Sequence, residues 1–307
     1  MEIALSSIRF AFESVKENNG CAGVDGVTVR QFGENLHHNI QVLQDEVYRQ
    51  VYRPLPLMKI LIPKKEGAGH RSLCIPPVRD RVIQKAVLNL VEPVLDKEFE
   101  DTSFAYRKGY SVKRAVQRIR SYYDQGYCWI IDADIDDFFD TVDHELLMAK
   151  FERVIDATAL HRLVRLWLKA EIWDGTTLAV PERGIPQGSP ISPVLANLFL
   201  DEIDEILSQR GFKYVRYADN YLLLGKTETE AGEALALSLE LLDRLDLDLE
   251  VETMSSFDKG FRYLGVFFFN DLALKPFAAS DQEKSRRRPV FPRPFDMAAW
   301  QSRNKGG

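Results

Sequence analysis

The 307-residue sequence predicts an α+β fold in which an antiparallel sheet is backed by helices. Three features carry that prediction. From residue 128 onward, short apolar strand patterns alternate with longer runs whose apolar residues recur every three or four positions. At 212–225 two strand patterns are separated by so short a polar turn that they read as a hairpin, antiparallel by construction. A hydrophobic content of 45% over this length supplies a sizeable core for one or two domains.

In order along the chain, residues 3–17 and about 34–50 read as helices separated by the Gly-rich "NNGCAGVDGVT". "LMKILIP" (57–63) and "RSLCIP" (71–76) read as strands joined by the polar turn "KKEGAGH". "VRDRVIQKAVLNLVEPVL" places Val82, Ile83, Ala86, Val87, Leu90 and Val91 at helical spacing, and a basic helix follows at about 111–124. Then come a strand ("CWIIDADI"), a helix at about 143–170, a strand near 178, a helix at 190–209, the hairpin and a helix at 228–245. Strands near 248–252 and 262–269 complete the pattern. The tail, "DQEKSRRRPVFPRPFDMAAWQSRNKGG", is rich in Pro and Arg and reads as a linker or a segment that orders on binding.

No run of 18 apolar residues occurs, so no membrane span is expected, and the acid-containing N-terminus reads as an amphipathic helix rather than a signal peptide. Three widely spaced cysteines argue against a disulfide framework or zinc site and suit a reducing, cytoplasmic setting. The net charge of −6 alone argues against a nucleic-acid binder, but its distribution does not. Residues 47–120 carry +9 and residues 121–280 carry −15. A basic lobe beside an acidic centre suits an anionic polymer on one and cations on the other, although ordinary solvated surface gives the same numbers.

Three motifs carry chemistry. In "IIDADIDDFFDTVDH" a strand runs into Asp134, with Asp136, Asp137 and Asp140 close behind. Carboxylates packed this densely repel one another unless cations compensate, and hard oxygen ligands suit Mg²⁺. The alternative is a solvated acidic loop; for Asp143 the helix N-cap is the preferred reading. In "GIPQGSPISPVLANLFLDEID", prolines stiffen a loop entering a helix whose N-terminus attracts phosphate, Gly188 leaves room at the backbone and Gln187 offers a donor and an acceptor. Prolines in a first helical turn explain part of this pattern without a ligand. In "RYADNYLLLG" the polar tip is read as Asp219-Asn220, presenting a carboxylate that with Asp134 would share two Mg²⁺ ions. As a turn, "DN" is also ordinary.

The order and combination of these motifs, with "GVDGVT", "YRPLPLMKILIPKK", "RSLCIPPVRDRVIQKAV", "SFAYRKGYS", "VRYADN" and "RYLGVFF", resemble the reverse transcriptases of the group II intron lineage, including CRISPR-associated and defence-type relatives. The likeness runs from about residue 20 to 270. It implies a right-hand polymerase: an N-terminal extension and fingers over 1–127, a palm over 128–280, and the basic tail or linker over 281–307, with the thumb absent or truncated.

By the same resemblance, Asp134 and Asp219 are the principal metal ligands, assisted by the Ile135 backbone carbonyl, for two Mg²⁺ ions (Mn²⁺ as a substitute). Asn220 stands at the second position of the catalytic hairpin. Lys64 and Arg71 match the cations that hold the incoming triphosphate. Phe139 matches the aromatic that excludes a 2′-hydroxyl, Asp137 is counted with the nucleotide-binding residues, and Gln187 and Gly188 match the pair against the nascent base pair. Basic residues of 79–120, including Arg79, Arg81, Arg107, Lys108 and Arg114, are expected along the template.

Two departures concern the chemistry. Asn220 replaces an aspartate, and Glu252 stands where relatives tend to carry a lysine, leaving Lys259 or water to protonate pyrophosphate. The expected function is RNA-directed DNA synthesis from an RNA template, a nucleic-acid primer and dNTPs, in CRISPR spacer acquisition beside an integrase or in phage defence; intron splicing is not expected. The alternatives are a catalytically impaired scaffold that binds RNA or a protein, and untemplated synthesis.

Overall fold

The computed structural model describes residues 3–63, 70–274 and 289–304. In chain order its elements are α1 (Leu5–Asn18), α2 (Val29–Glu34), α3 (Leu36–Tyr48), β1 (Leu57–Pro63), β2 (His70–Ile75), α4 (Val78–Leu95), α5 (Val112–Asp124), β3 (Trp129–Ile135), α6 (Phe138–Thr141), α7 (His144–Val154) and α8 (Thr158–Leu168). There follow β4 (Ile172–Trp173), β5 (Leu178–Ala179), α9 (Ser192–Gln209), β6 (Lys213–Tyr217), β7 (Asn220–Gly225), α10 (Glu228–Asp243), β8 (Leu249–Ser256), β9 (Phe261–Tyr263), β10 (Val266–Phe269), β11 (Leu272–Leu274) and α11 (Met297–Asn304).

The chain divides into two compact units. One comprises Met1–Pro93, Glu152–Ser192 and Asp281–Gly307; the other comprises Val94–Phe151 and Pro193–Ser280. In the first, β1 and β2 pair antiparallel from Met58↔Ile75 to Pro63↔His70, within a sheet of order β2-β1-β4-β5. The Tyr52 hydroxyl donates to Asp80 at 2.7 Å and accepts from Trp167 Nε1 at 3.0 Å, tying the segment before β1 to α4 and α8. Burial pushes the Asp80 carboxyl up to about 6. Residues 289–304 of the tail pack on this unit: Val290 bridges Leu61, the Phe295 ring lies 5.3 Å from Trp173, and Trp300 Nε1 donates to Glu171.

In the second unit the four-stranded sheet has order β6-β7-β3-β8, and every neighbouring pair is antiparallel. Strand alternation divides its two faces. Ile130, Asp132 and Asp134 share one face of β3, opposite Leu224, Leu222 and Asn220 of β7. That face is apolar at the Ile130 end, where Ile119 and Tyr122 of α5 join Phe257, Phe261 and Phe268 in one buried cluster. It is acidic at the Asp134 end. The helix-backed antiparallel sheet expected from the sequence is present.

Three local expectations change. The helix expected at 143–170 breaks between α7 and α8 at "VIDAT", where β-branched Val154, Ile155 and Thr158 and turn-favouring Asp156 are weak helix formers and the Ile155 carbonyl takes the Ala157 amide instead of continuing the ladder. Helix α2 went unread, although Thr28 and Gln31 spell its capping box, in which the Thr28 hydroxyl accepts from the Gln31 amide at 3.2 Å. The hairpin turn is Ala218-Asp219 rather than Asp219-Asn220, because Tyr217 pairs with Asn220 and Asn220 opens β7.

Candidate active site

The acidic end of the second unit's sheet is set by the two-residue turn between β6 and β7. Ala218 holds φ +62, a conformation that side chains other than glycine seldom adopt. What holds it is Arg216, fully buried on the opposite face. Arg216 Nη1 donates to the Ala218 carbonyl at 2.9 Å and to Asn197 Oδ1 at 3.0 Å, while Nε donates to both Asp204 oxygens at 3.0 and 2.8 Å. Burial works against the Arg216 charge, but the Asp204 carboxylate outweighs it and raises the pKa above the ordinary value. From β9, the Tyr263 hydroxyl donates to the carbonyls of Val215 at 3.0 Å and Asn220 at 3.1 Å, fixing both strands of the hairpin. Neither Arg216 nor Tyr263 was singled out from sequence, although both stand in the quoted motifs.

The turn brings Asp219 beside the end of β3, where the Ile135 amide donates to the Asp219 carbonyl at 3.3 Å. Asp134 lies opposite Asn220 on β7 and Glu250 on β8. Asn220 Nδ2 donates to Asp134 Oδ1 at 2.6 Å. The pairing of β3 with β8 shifts between Asp132 and Ala133, from Thr253 to Val251, so Glu252 is the extra residue of a bulge. Such bulges re-aim a side chain, and the Glu252 charge acts on both Asp132 and Asp134.

Burial first, then Asp219 and Glu252, push the Asp134 carboxyl up to about 7, against the opposing pull of the Asn220 amide. Asp132, 7% exposed, is likewise pushed up to about 7 by burial, Glu252 and Asp134. Sequence reading missed Asp132. Its signal was the two-residue spacing from Asp134, which puts both on one face.

The remaining candidates fall as follows. Phe138 is buried at 1% exposure, and half-buried Phe139 meets it edge-on with centroids 5.4 Å apart. Exposed Asp137 has φ +40 and precedes α6. Asp143 caps α7, accepting from the Glu145 and Leu146 amides at 2.9 Å. Exposed Arg71 is on β2 in the first unit, and Lys64 lies outside the described residues. In the same unit, the Gln187 carbonyl accepts from the Cys74 amide at 2.6 Å. A Cβ on Gly188, whose φ is +113, would come within 2.8 Å of the Cys74 carbonyl. The space that a side chain at 188 would need is therefore taken by the chain's own strand β2.

Several expected template cations are structural. Arg107, 8% exposed, donates to Asp96, Glu100, Ser103 and Phe99; Arg79 pairs with Glu46 and Asp80. Lys108 and Arg114 are exposed. Lys259 lies over the Trp129 ring at 5.7 Å, at the far end of β3. Five residues of strand, about 17 Å, separate Trp129 from Asp134, so Lys259 lies away from the acidic end.

Among the described residues no three His, Cys, Asp or Glu side chains form a ready-made metal cage. Mg²⁺ does not require one, since one or two carboxylates serve when water and substrate phosphates complete its shell. No lysine or arginine pairs with Asp132 or Asp134 among the described residues. The donor set fits a hard divalent cation.

A helix-backed antiparallel sheet with aspartates at the end of one strand and on the adjoining hairpin turn is the palm of a polymerase. The chain belongs to the reverse transcriptase (RNA-dependent DNA polymerase) family, whose sequence profile matches residues 62–268. It is 30% identical to Protein YkfC of Escherichia coli (strain K12) over 284 residues, 79% of this chain and 74% of that protein. It is 31% identical over 209 residues to the group II intron-encoded protein LtrA of Lactococcus lactis subsp. cremoris, covering 67% of this chain but 34% of LtrA. The structure of apo telomerase from Candida tropicalis shares the fold, with a TM-score of 0.59 at 10% identity over 73% of this chain and 49% of that one.

Proposed function

We propose that this chain is an RNA-directed DNA polymerase that adds dNTPs to a primer 3′-hydroxyl on an RNA template. The observation that carries this reading is the convergence of Asp134 and Asp219 at the end of β3, where the Asp219 charge acts on the Asp134 carboxyl and the Ile135 amide donates to the Asp219 carbonyl. Asp134, Asp219 and the Ile135 carbonyl would hold two Mg²⁺ ions, with the Asn220 carbonyl oxygen as a weaker neutral donor. Bound Mg²⁺ in such a site supplies activation of the 3′-hydroxyl and stabilisation of charge on departing pyrophosphate.

The chain's other residues position the reactants. Lys64 and Arg71 bind the triphosphate, and Asp137 lies toward the nucleotide. Phe139 excludes a 2′-hydroxyl, and Gln187 and Gly188 lie against the nascent pair. A role in CRISPR spacer acquisition beside an integrase, or in phage defence, belongs to the same proposal and rests on the sequence resemblance.

The test is Mg²⁺-dependent dNTP incorporation on a primed RNA template by this chain, by Asn220→Asp and by Asp134→Ala. Incorporation by the chain as it stands, lost in Asp134→Ala, is the expected result. A second reading, an impaired scaffold that binds RNA or a protein partner, is favoured by the Asn220 amide engaging the Asp134 oxygen a metal would use. Incorporation by Asn220→Asp alone would place the impairment at that residue. Silence from all three folded proteins would reject the polymerase reading.

A further inference from the structure

Strand β1 has two edges. One is covered by β2 from Met58 to Pro63. On the other, β4 pairs only with Leu57 and Met58. Beyond Met58, the one pairing on that edge among the described residues is with the tail. The Leu61 amide donates to the Val290 carbonyl at 3.1 Å, and the Val290 amide donates to the Leu61 carbonyl at 2.9 Å. The tail cannot extend this ladder. Pro292 and Pro294, two and four residues on, stand where the next strand-facing amides would be, and neither has an N–H.

Past Val290 the tail lies on the turn between β4 and β5, within the same unit. Asp174 fixes that turn by accepting from the Thr176 and Thr177 amides at 2.8 and 2.7 Å. Gly175 in the turn is buried, with φ +101, and a Cβ on it would come within 2.9 Å of the Arg293 nitrogen and 3.1 Å of Pro292 Cα. Trp173 Nε1 donates at 2.8 Å to the Arg293 carbonyl, which precedes Pro294. The Phe295 ring packs on Trp173, and Trp300 Nε1 donates to Glu171. Aromatic surfaces that read a carbonyl through a side-chain N–H suit extended proline-rich peptides, whose backbones offer few donors of their own. Pro289, Pro292 and Pro294 spell P-x-x-P-x-P, and each residue before a proline is itself confined to extended backbone. The seating is shallow. Val290 and Phe291 are 54% and 56% exposed, and Arg293 and Pro294 are exposed. A segment with so few buried contacts opens easily.

We propose that the face formed by Glu171, Trp173 and Gly175 is a recognition site for a proline-rich extended peptide. Residues 289–295 are its occupant in cis, and a proline-rich segment of a partner protein displaces them. Trp173 reads the carbonyl before a proline, Gly175 lets the peptide backbone approach, and Glu171 takes an indole N–H further along. The proposal does not depend on the polymerase reading, since none of these residues belongs to the acidic cluster.

The test uses the full chain and two probes: a fluorescent peptide of residues 289–304, and an unlabelled peptide of residues 291–304 that lacks Val290. On the unmodified chain, the shorter peptide should displace the tail without replacing its bonds to β1. Hydrogen exchange at the Leu61 amide should then quicken. The tethered tail competes at an effective concentration of about millimolar. Phe295→Ala with Trp300→Ala, which removes the tail's ring anchors, should therefore bind the fluorescent peptide about 100-fold more tightly than the wild type, read by anisotropy. Adding Trp173→Phe, which keeps a ring but removes the N–H, should reverse that gain. A peptide carrying Pro292→Ala and Pro294→Ala should not bind. The proposal is overturned if the shorter peptide leaves Leu61 exchange unchanged, or if Trp173→Phe leaves the gain intact. It is also overturned if the wild type forms a dimer that Trp173→Phe dissolves, since a second copy would then be the occupant.

Discussion

Asn220 and Asp134 face each other across β7 and β3, and the Asn220 amide donates to the Asp134 carboxylate at 2.6 Å. An aspartate at 220 would offer no such donor. It would instead add a charge where burial, Asp219 and Glu252 already hold the Asp134 carboxyl up at about 7. Asn220→Asp is therefore expected to lose about 1–3 kcal/mol of metal-free stability and to gain a larger Mg²⁺-dependent rise in Tm. Denaturant unfolding in EDTA and in Mg²⁺ checks both.

Glu252 occupies the bulge of β8, where its charge acts on Asp132 and Asp134. Glu252→Gln keeps the bulge and removes that repulsion. Both aspartates should then titrate lower, and metal-free stability at pH 8 should rise by about 1 kcal/mol. Carboxyl-carbon NMR titration reads the first effect and urea unfolding the second.

The neighbouring phenylalanines should separate by phenotype. Phe138 is buried, so Phe138→Ala should cost about 3–5 kcal/mol. Phe139 is half-buried, so Phe139→Ala should cost about 1–2 kcal/mol. Under the polymerase reading, Phe139→Ala also narrows the preference for dNTPs over NTPs, measured as a ratio of kcat/KM values.

Asp201 of α9 is 8% exposed with Oδ1 unpartnered among the described residues, and burial, then Asp204, raises its carboxyl to about 7. Between about pH 4 and 7 the folded state then holds more protons than the unfolded one. This contribution to stability is fully present at low pH and is lost as pH rises through about 7. Asp201→Asn should remove that loss, giving a Tm higher than wild type at pH 8 and a gap that closes toward pH 4. Thermal unfolding across that range measures it.

Arg216 and Asp204 form a buried pair beneath the Ala218 turn. Asp204→Asn leaves a buried guanidinium without its counter-charge and should cost about 3–5 kcal/mol. Arg216→Met together with Asp204→Leu should recover much of that stability while leaving the Ala218 carbonyl without its donor. The double variant should therefore fold yet respond weakly to Mg²⁺, a contrast that thermal unfolding with and without the ion would reveal.

Asp134 at a strand end, the hairpin at 212–225, the strands β1 and β2 and the helix-backed sheet were all legible in the residue order. Period-two and period-3.6 apolar patterns are local, and the motifs fix which residues adjoin them. The Ala218-Asp219 turn was misplaced by one residue because "ADN" contains an Asp-Asn pair that favours turns, while the register is set across the sheet by Asp134↔Asn220 and by Arg216 beneath it. Arg81 and Arg107, both 8% exposed, read as template-contacting cations because sequence records charge but not burial.

By itself, then, the sequence determined the α+β class, the family, and the placing of Asp134 and Asp219 at a strand end and on a hairpin. Only the tertiary structure decided that Asp132 and Glu252 join them, that Asn220 serves Asp134 as a donor, and that Lys259 sits at the wrong end of β3. The physical reason is that strand neighbours, bulges and burial are relations between segments far apart in the chain. The electrostatics of the site arise from those relations rather than from any residue's own identity.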